Sequence, residues 1–478
     1  MTNLADARRV IGSAQELGVR DFCVCGGSRN APLLAVVGAA YSFLDERSAA
    51  FFALGRIKLT GRPVAVITTS GTAAAELLPA AIEAHYSGLP LILITADRPA
   101  RYHGTGAPQA IEQEGIFGVY ASRDAASWTR RGPLHINVEF DEPLIDDEVA
   151  GLRGCEVAQR VHSETAQPRN LATSQPFTQR PLLLLGGLDA RDRERVKEFV
   201  LKLGAPVYAE PLSGLREDPD IAHLVITAGE RMIARGRPDG VIRVGNVPAL
   251  RFWRDLDESR RELPVISYSR LPFAGLSRGE VRSLDELPEI SAPWTLPDDK
   301  TADIQRILDD EPQSELAMVR ELSRTIPGHS RVYLGNSLPI REWDLAATRE
   351  PRGFSYEANR GANGIDGQLS TFFGQCERGR ANVCVVGDLT AIYDANAPWI
   401  VPQLEADFRI VIINNSGGRI FERVASLARI DKSLIVNAHD FRFDHWAAMW
   451  RIEDRVTELR PDAEASRRAW ARYDALWS

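Results

Sequence analysis

Two apolar runs decide the fold: NVCVVGD (382–388) and FRIVIINNSGG (408–418). Short, Val/Ile-rich runs that end on glycine, aspartate or asparagine read as parallel strands buried on both faces. Ligands of open α/β sheets sit at the carboxyl ends of such strands, so Asp388 and Asn415 converge at one sheet edge. A carboxylate, an amide oxygen and a loop carbonyl form the hard-oxygen set that magnesium shares with phosphate oxygens and water. The pair therefore reads as a clamp for a magnesium-bound diphosphate.

Outward from this edge the chain repeats one theme. RVYLGNS (331–337) and FSYEANRGANGIDG (354–367) complete a third domain, expected over 311–478, that opens with a helix near Glu315–Arg324. FCVCGG, PVAVITTSG, LPLILITADRP and PLHINVEF are strand-like runs of a first domain over 1–155, and TAAAELLPAAIEAH (72–85) has helical periodicity. Residues 156–180 are polar and proline-dotted, as a linker is. A central domain over 181–310 opens with PLLLLGG, but its Gly186-Gly187 pair lacks the rest of a dinucleotide fingerprint. The fold class is α/β, with three parallel-sheet domains.

Composition narrows the function. The 478 residues are 44% hydrophobic and 26% charged, as in soluble globular proteins, and no run is long enough to span a membrane. A cytoplasmic location is expected. Net charge −8 argues against a nucleic-acid platform and offers no long-range pull on anions, so anion binding has to be local. Five cysteines without paired zinc spacing read as reduced, buried thiols.

The Gly-Asp and Asn-Asn signals resemble the thiamine diphosphate signature, and the resemblance sharpens in ordered motifs. These are GGSRNAPL (26–33), DER (45–47), TSGTA (69–73), TADRP (95–99), GAPQAI (106–111), GNSLPIR (335–341), NRGANGIDG (359–367) and NNSGGRIF (414–421). Together they resemble the menaquinone-pathway 2-succinyl-5-enolpyruvyl-6-hydroxy-3-cyclohexene-1-carboxylate synthase family, across nearly all of the first and third domains. The resemblance implies a thiamine diphosphate-binding fold and a carboligase acting on 2-oxoglutarate and isochorismate. It also implies a homodimer or dimer of dimers, with each pocket between the first domain of one subunit and the third of another.

Residue by residue, the resemblance makes Glu46 the acid that activates the cofactor. Asp388, Asn415 and the Gly417 carbonyl become ligands of Mg2+ or Mn2+. Gly387, Leu389, Thr390 and Ile420 contact the cofactor, and Ile365 is the apolar wedge that holds it bent. Ser28, Arg29, Gln109, Asn336, Ser337, Arg341 and Arg360 are the implied substrate contacts, with Ile420 and Phe421 as the wall against the ring. Arg251 stands where the family's lysine is expected. Several carboxylates must be held at once, a task suited to arginine forks. Gly26 and Pro108 depart from the family pattern, and the chain is short for it. The alternatives are another thiamine-dependent 2-oxoacid decarboxylase or carboligase, and an inactive regulatory subunit; a subunit released from catalysis need not keep Glu46, Asp388 and Asn415 together.

Overall fold

The computed structural model describes residues 2–145, 179–296, 300–424, 427 and 429–477. The expected linker, apart from Gln179 and Arg180, lies outside them, as does Cys155. The other four cysteines are buried free thiols.

Among the described residues, fifteen strands form three five-stranded sheets, and every pairing within them is parallel. The first holds β1 (Asp21–Cys25), β2 (Tyr41–Phe43), β3 (Val64–Thr68), β4 (Leu91–Asp97) and β5 (Leu134–Glu139). The middle one holds β6 (Pro181–Leu185), β7 (Val207–Ala209), β8 (Gly240–Val244), β9 (Val265–Ser269) and β10 (Glu280–Ser283). The third holds β11 (Arg331–Leu334), β12 (Ser355–Glu357), β13 (Asn382–Gly387), β14 (Arg409–Ile413) and β15 (Val456–Leu459).

The strand orders β2-β1-β3-β4-β5, β7-β6-β8-β9-β10 and β12-β11-β13-β14-β15 are one topology used three times. In each, the order reverses between the first and third strands, and the crevice at that switch point is where doubly wound sheets bind ligands. A Cβ on Gly186, at the middle switch point, would stand 2.1 Å from the Asn246 carbonyl oxygen, so the two loops approach more closely than any side chain permits.

The first and third sheets are locked together by two helices, Glu46–Thr60 and Gln368–Gln375. A Cβ on Gly55 would lie 2.0 Å from the Thr371 carbonyl oxygen, and one on Gly374 2.1 Å from that of Phe52. Backbone meets backbone here, and Phe51, Phe52, Phe372 and Phe373 fill one shared apolar core. Asp45 caps the first helix by accepting from Ser48 N, and Gly61 ends it in the left-handed region at φ 67°.

The continuous helix expected over 72–85 is two helices, Thr72–Ala75 and Leu78–Ser87. Pro79 lies in the first turn of the second, where its missing N–H costs nothing, and without that N–H it cannot extend the first helix's hydrogen-bond ladder back to Ala75.

Candidate functional site

At the third sheet's edge, Gly387 pairs with Ile413, so the chain leaves β13 and β14 side by side. Asp388 begins the helix Asp388–Tyr393 and is 3% exposed. Its Oδ1 accepts from Leu389 N at 2.7 Å and its Oδ2 from Gly417 N at 2.9 Å, with His439 Nε2 3.2 Å away. Burial raises the Asp388 pKa, while the two backbone donors and His439 oppose the rise. Leu389 N–H is thus already committed to Asp388. Thr390 is buried one residue on.

Asn415 turns its amide nitrogen to Glu315, at 3.0 Å from Oε1 and 3.1 Å from Oε2. Its Oδ1 is buried without a hydrogen-bond partner. An orphaned amide oxygen is costly unless something accepts its lone pairs, and a cation does so. Gly417 reaches φ 130°, and its carbonyl accepts from Arg419 N at 2.9 Å with a second lone pair free. Oxygen donors beside a buried carboxylate fit a small divalent cation.

The end of β11 supplies the next contacts. Asn336 sends Nδ2 to the carbonyls of Asn359 and Gly364, at 2.8 and 2.7 Å, and its Oδ1 accepts from Arg360 Nη1 at 2.7 Å. Ser337 sits at φ 72° before the helix Leu338–Ala346, and its carbonyl accepts from Arg341 Nη1 at 2.6 Å. Arg341 projects into an open cleft of ≈ 590 Å³ shared with Ile420 and Arg251. Burial, then the like charge of Arg360, lowers its pKa. Six arginines, at 231, 251, 254, 260, 341 and 423, line that cleft together with Glu210, Glu230, Asp255 and Asp344. A chain of net charge −8 therefore keeps a local cationic excess in this cleft.

Arg251 is exposed and pairs along its own helix with Asp255 and Glu258. Ile365 is half-buried on the loop whose Gly364 carbonyl also accepts from Gln368 Nε2 at 2.7 Å. Phe421 is exposed beside Ile420 on the turn Arg419–Arg423. A second cleft, of ≈ 1110 Å³, lies between all three sheets and touches Arg360, but Asp388, Asn415 and Ile420 do not line it. Arg341 and Ile420 line the smaller cleft, and Asp388 and Asn415 line neither.

Glu46 is half-buried at the start of its helix; burial raises its pKa, and Asp45 and Glu76 add to the rise. Ser28 and Gln109 are exposed, and the buried Arg29 donates to the Phe140 carbonyl at 2.9 Å and lies 3.1 Å from Glu142. Among the described residues no hydrogen bond or ion pair joins this set to the third-domain set.

Three supporting acids escaped the sequence reading. Glu83, 2% exposed, accepts from Gly361 N at 2.8 Å and Ala362 N at 2.7 Å, which fastens the Arg360 loop. Its signal was an acid, one of two with Glu76, in the apolar, alanine-rich stretch 72–85. Glu315 looked like an ordinary helix-start acid after Ser314. Glu342 is fully buried against Glu315; burial first, and then that neighbour, push it well above the usual carboxylate range.

Residues 7–116 match the family described as thiamine pyrophosphate enzyme, N-terminal TPP binding domain. A solved benzoylformate decarboxylase from Polynucleobacter necessarius superposes with TM-score 0.66 at 15% identity, over 96% of this chain and 99% of that one, and so shares the fold. Fold, sheet-edge cluster and N-terminal match define a thiamine diphosphate-dependent enzyme. A relative from Bdellovibrio bacteriovorus, named 2-succinyl-5-enolpyruvyl-6-hydroxy-3-cyclohexene-1-carboxylate synthase, is 41% identical over the full length of both chains. One of the same name from Akkermansia muciniphila is 38% identical over 91% of this chain and 88% of its own. The chain belongs to the 2-succinyl-5-enolpyruvyl-6-hydroxy-3-cyclohexene-1-carboxylate synthase family.

Proposed function

We propose that the protein decarboxylates 2-oxoglutarate and adds the resulting succinyl unit to isochorismate, releasing carbon dioxide and giving the product for which its relatives are named. The observation that carries the reading is the meeting of Asn336, Arg360 and Arg341 at the end of β11, the strand next to β13, which ends one residue before Asp388. Bound thiamine diphosphate supplies a nucleophilic carbon and an electron sink for both bond changes.

The protein's own groups do the rest. Asp388, Asn415 Oδ1 and the Gly417 carbonyl hold Mg2+ or Mn2+ and, through it, the diphosphate. Glu46, with a pKa raised by burial, is suited to hold a proton against the aminopyrimidine ring nitrogen. Arg341 and Arg360 hold substrate carboxylates, Ser28, Arg29, Gln109 and Ser337 complete the polar wall, and Ile420 and Phe421 shield the ring. Ile365 presses on the cofactor, and Arg251 guards the cleft mouth.

The working unit is a homodimer or a dimer of dimers in the cytoplasm. Asp45 accepts from Asn396 Nδ2 at 2.5 Å, while Arg47 donates to the Tyr393 carbonyl at 3.1 Å and lies 3.5 Å from Asp394. These contacts tie Glu46's neighbours to the far end of the helix that starts at Asp388, roughly 9 Å away along its axis. Leu44, Tyr393 and Trp399 are exposed beside them, an apolar face that a second copy would cover. No helix among the described residues is long and apolar enough to cross a membrane.

Mass spectrometry of the products from purified protein, thiamine diphosphate, Mg2+ and 2-oxoglutarate, with and without isochorismate, tests the reading. The expected result is the succinylated cyclohexene product, formed only with both substrates. Succinic semialdehyde alone in both arms would make the protein a simple decarboxylase.

A further inference from the structure

We infer that Glu315 is a positioning residue that fixes the amide of Asn415 with its oxygen toward the metal. The inference rests on the metal reading above and extends it to a residue that touches neither metal nor cofactor.

An asparagine amide can present either end, and only its hydrogen-bond partners decide which. Both Glu315 oxygens take the Asn415 nitrogen, at 3.0 and 3.1 Å. A carboxylate accepts and does not donate, so an amide turned over would set oxygen against oxygen. The arrangement leaves Oδ1 buried and unpartnered, facing away from Glu315. Glu315 is itself held rigidly: it is 4% exposed, and its backbone N–H donates to Ser466 Oγ at 3.0 Å at the start of the helix Glu315–Thr325, which Ser314 caps. Its orientation is therefore set by the third sheet's packing before any ligand arrives. Outer partners of this kind typically hold 10–100-fold in metal affinity.

The test is the Mg2+ concentration needed for half-maximal quenching of tryptophan fluorescence by saturating thiamine diphosphate. Glu315→Leu, which keeps the site filled but removes the acceptor, should raise that midpoint about 10–100-fold. Glu315→Gln keeps one acceptor and should recover most of the loss. If Glu315→Leu fails to fold, a second pair carries the test. Asn415→Asp sets a carboxylate against Glu315 and should bind Mg2+ poorly, and Glu315→Gln in the same chain, by offering an amide donor, should restore it. An Asn415→Asp midpoint that is the same with Glu or Gln at 315, or a wild-type midpoint in Glu315→Leu, overturns the role of Glu315 alone. Wild-type protein that takes up thiamine diphosphate equally with and without Mg2+ overturns the metal reading as well.

Discussion

Arg360 Nη1 donates to Asn336 Oδ1 at 2.7 Å, so the residue that ties together the loops after β11 and β12 also aims the guanidinium. Arg360→Lys keeps the charge but loses the planar fork that can hold Asn336 and a carboxylate together. Losing one charge-assisted hydrogen bond, about 1.5–3 kcal/mol, lowers kcat/KM roughly 10–100-fold. Kinetics with each substrate varied in turn should show that fall with thiamine diphosphate affinity unchanged; wild-type efficiency toward both would remove Arg360 from the substrate site.

Glu83 holds the same loop from the first domain through two backbone N–H groups. Glu83→Gln leaves one acceptor and turns an amide N–H toward a backbone N–H, stranding a buried donor at a cost of about 1–3 kcal/mol. Urea denaturation should show that loss, with a higher KM because the Arg360 loop loosens. An unchanged midpoint would mean that the loop is held elsewhere.

What the sequence made legible was whatever lies close along the chain. β13 and β14 announce themselves by apolar runs that stop at polar residues, and Asp388 and Asn415 follow from where those runs end. The three-residue strands β2, β7 and β12 are too short to show a period, and each is an edge strand of its sheet. Glu83 could not be assigned a role because its partners lie 278 and 279 residues further on. In LPIREWDLAA the sequence marks Arg341 and Glu342 alike as charged helix residues, yet one reaches the cleft and the other is fully buried. Which face of that helix turns inward is decided by tertiary packing.

Glu46→Gln keeps size and much of the hydrogen bonding while removing the ionisable acid. Cofactor binding should persist, and proton–deuterium exchange at the thiazolium carbon should slow at least about 100-fold, the lower range for a positioned acid–base group. Exchange at the wild-type rate would show that another group activates the cofactor.

Burial raises the Glu210 pKa to about 7, opposed by Arg360, Arg341 and the hydrogen bond from Ala249 N and supported by Asp344. The folded protein thus holds this proton more tightly than the unfolded chain, whose glutamate titrates near about 4.3. The resulting stability is fully present below that value and is lost as pH rises through about 7. Glu210→Gln should flatten that decline by an amount on the order of 1–3 kcal/mol between pH 4.5 and 7.5. Parallel denaturation profiles for variant and wild type would assign the decline to other groups.

Arg216 links the middle domain to the helix that carries Arg341. Its side chain is fully buried; Nη2 donates to the carbonyls of Trp343, Asp344 and Ala347 at 3.1, 3.1 and 3.0 Å, and Nη1 to that of Thr348 at 3.0 Å. The Trp343 carbonyl also accepts from Ala347 N at 3.0 Å; a cation at a helix carboxyl end satisfies the later carbonyls and complements the dipole there. Arg216→Met fills the space but strands the Ala347 and Thr348 carbonyls and leaves Asp344 and Glu217 without their ion-pair partner. Removing one member of a buried charge cluster costs about 3–5 kcal/mol, so the urea midpoint should fall steeply. The loss should reach the site as well, through a higher KM for the carboxylate substrates with thiamine diphosphate affinity preserved. A variant that is destabilised but keeps wild-type KM values would show that Arg341 is aimed by its own bond to the Ser337 carbonyl, and not by the middle domain.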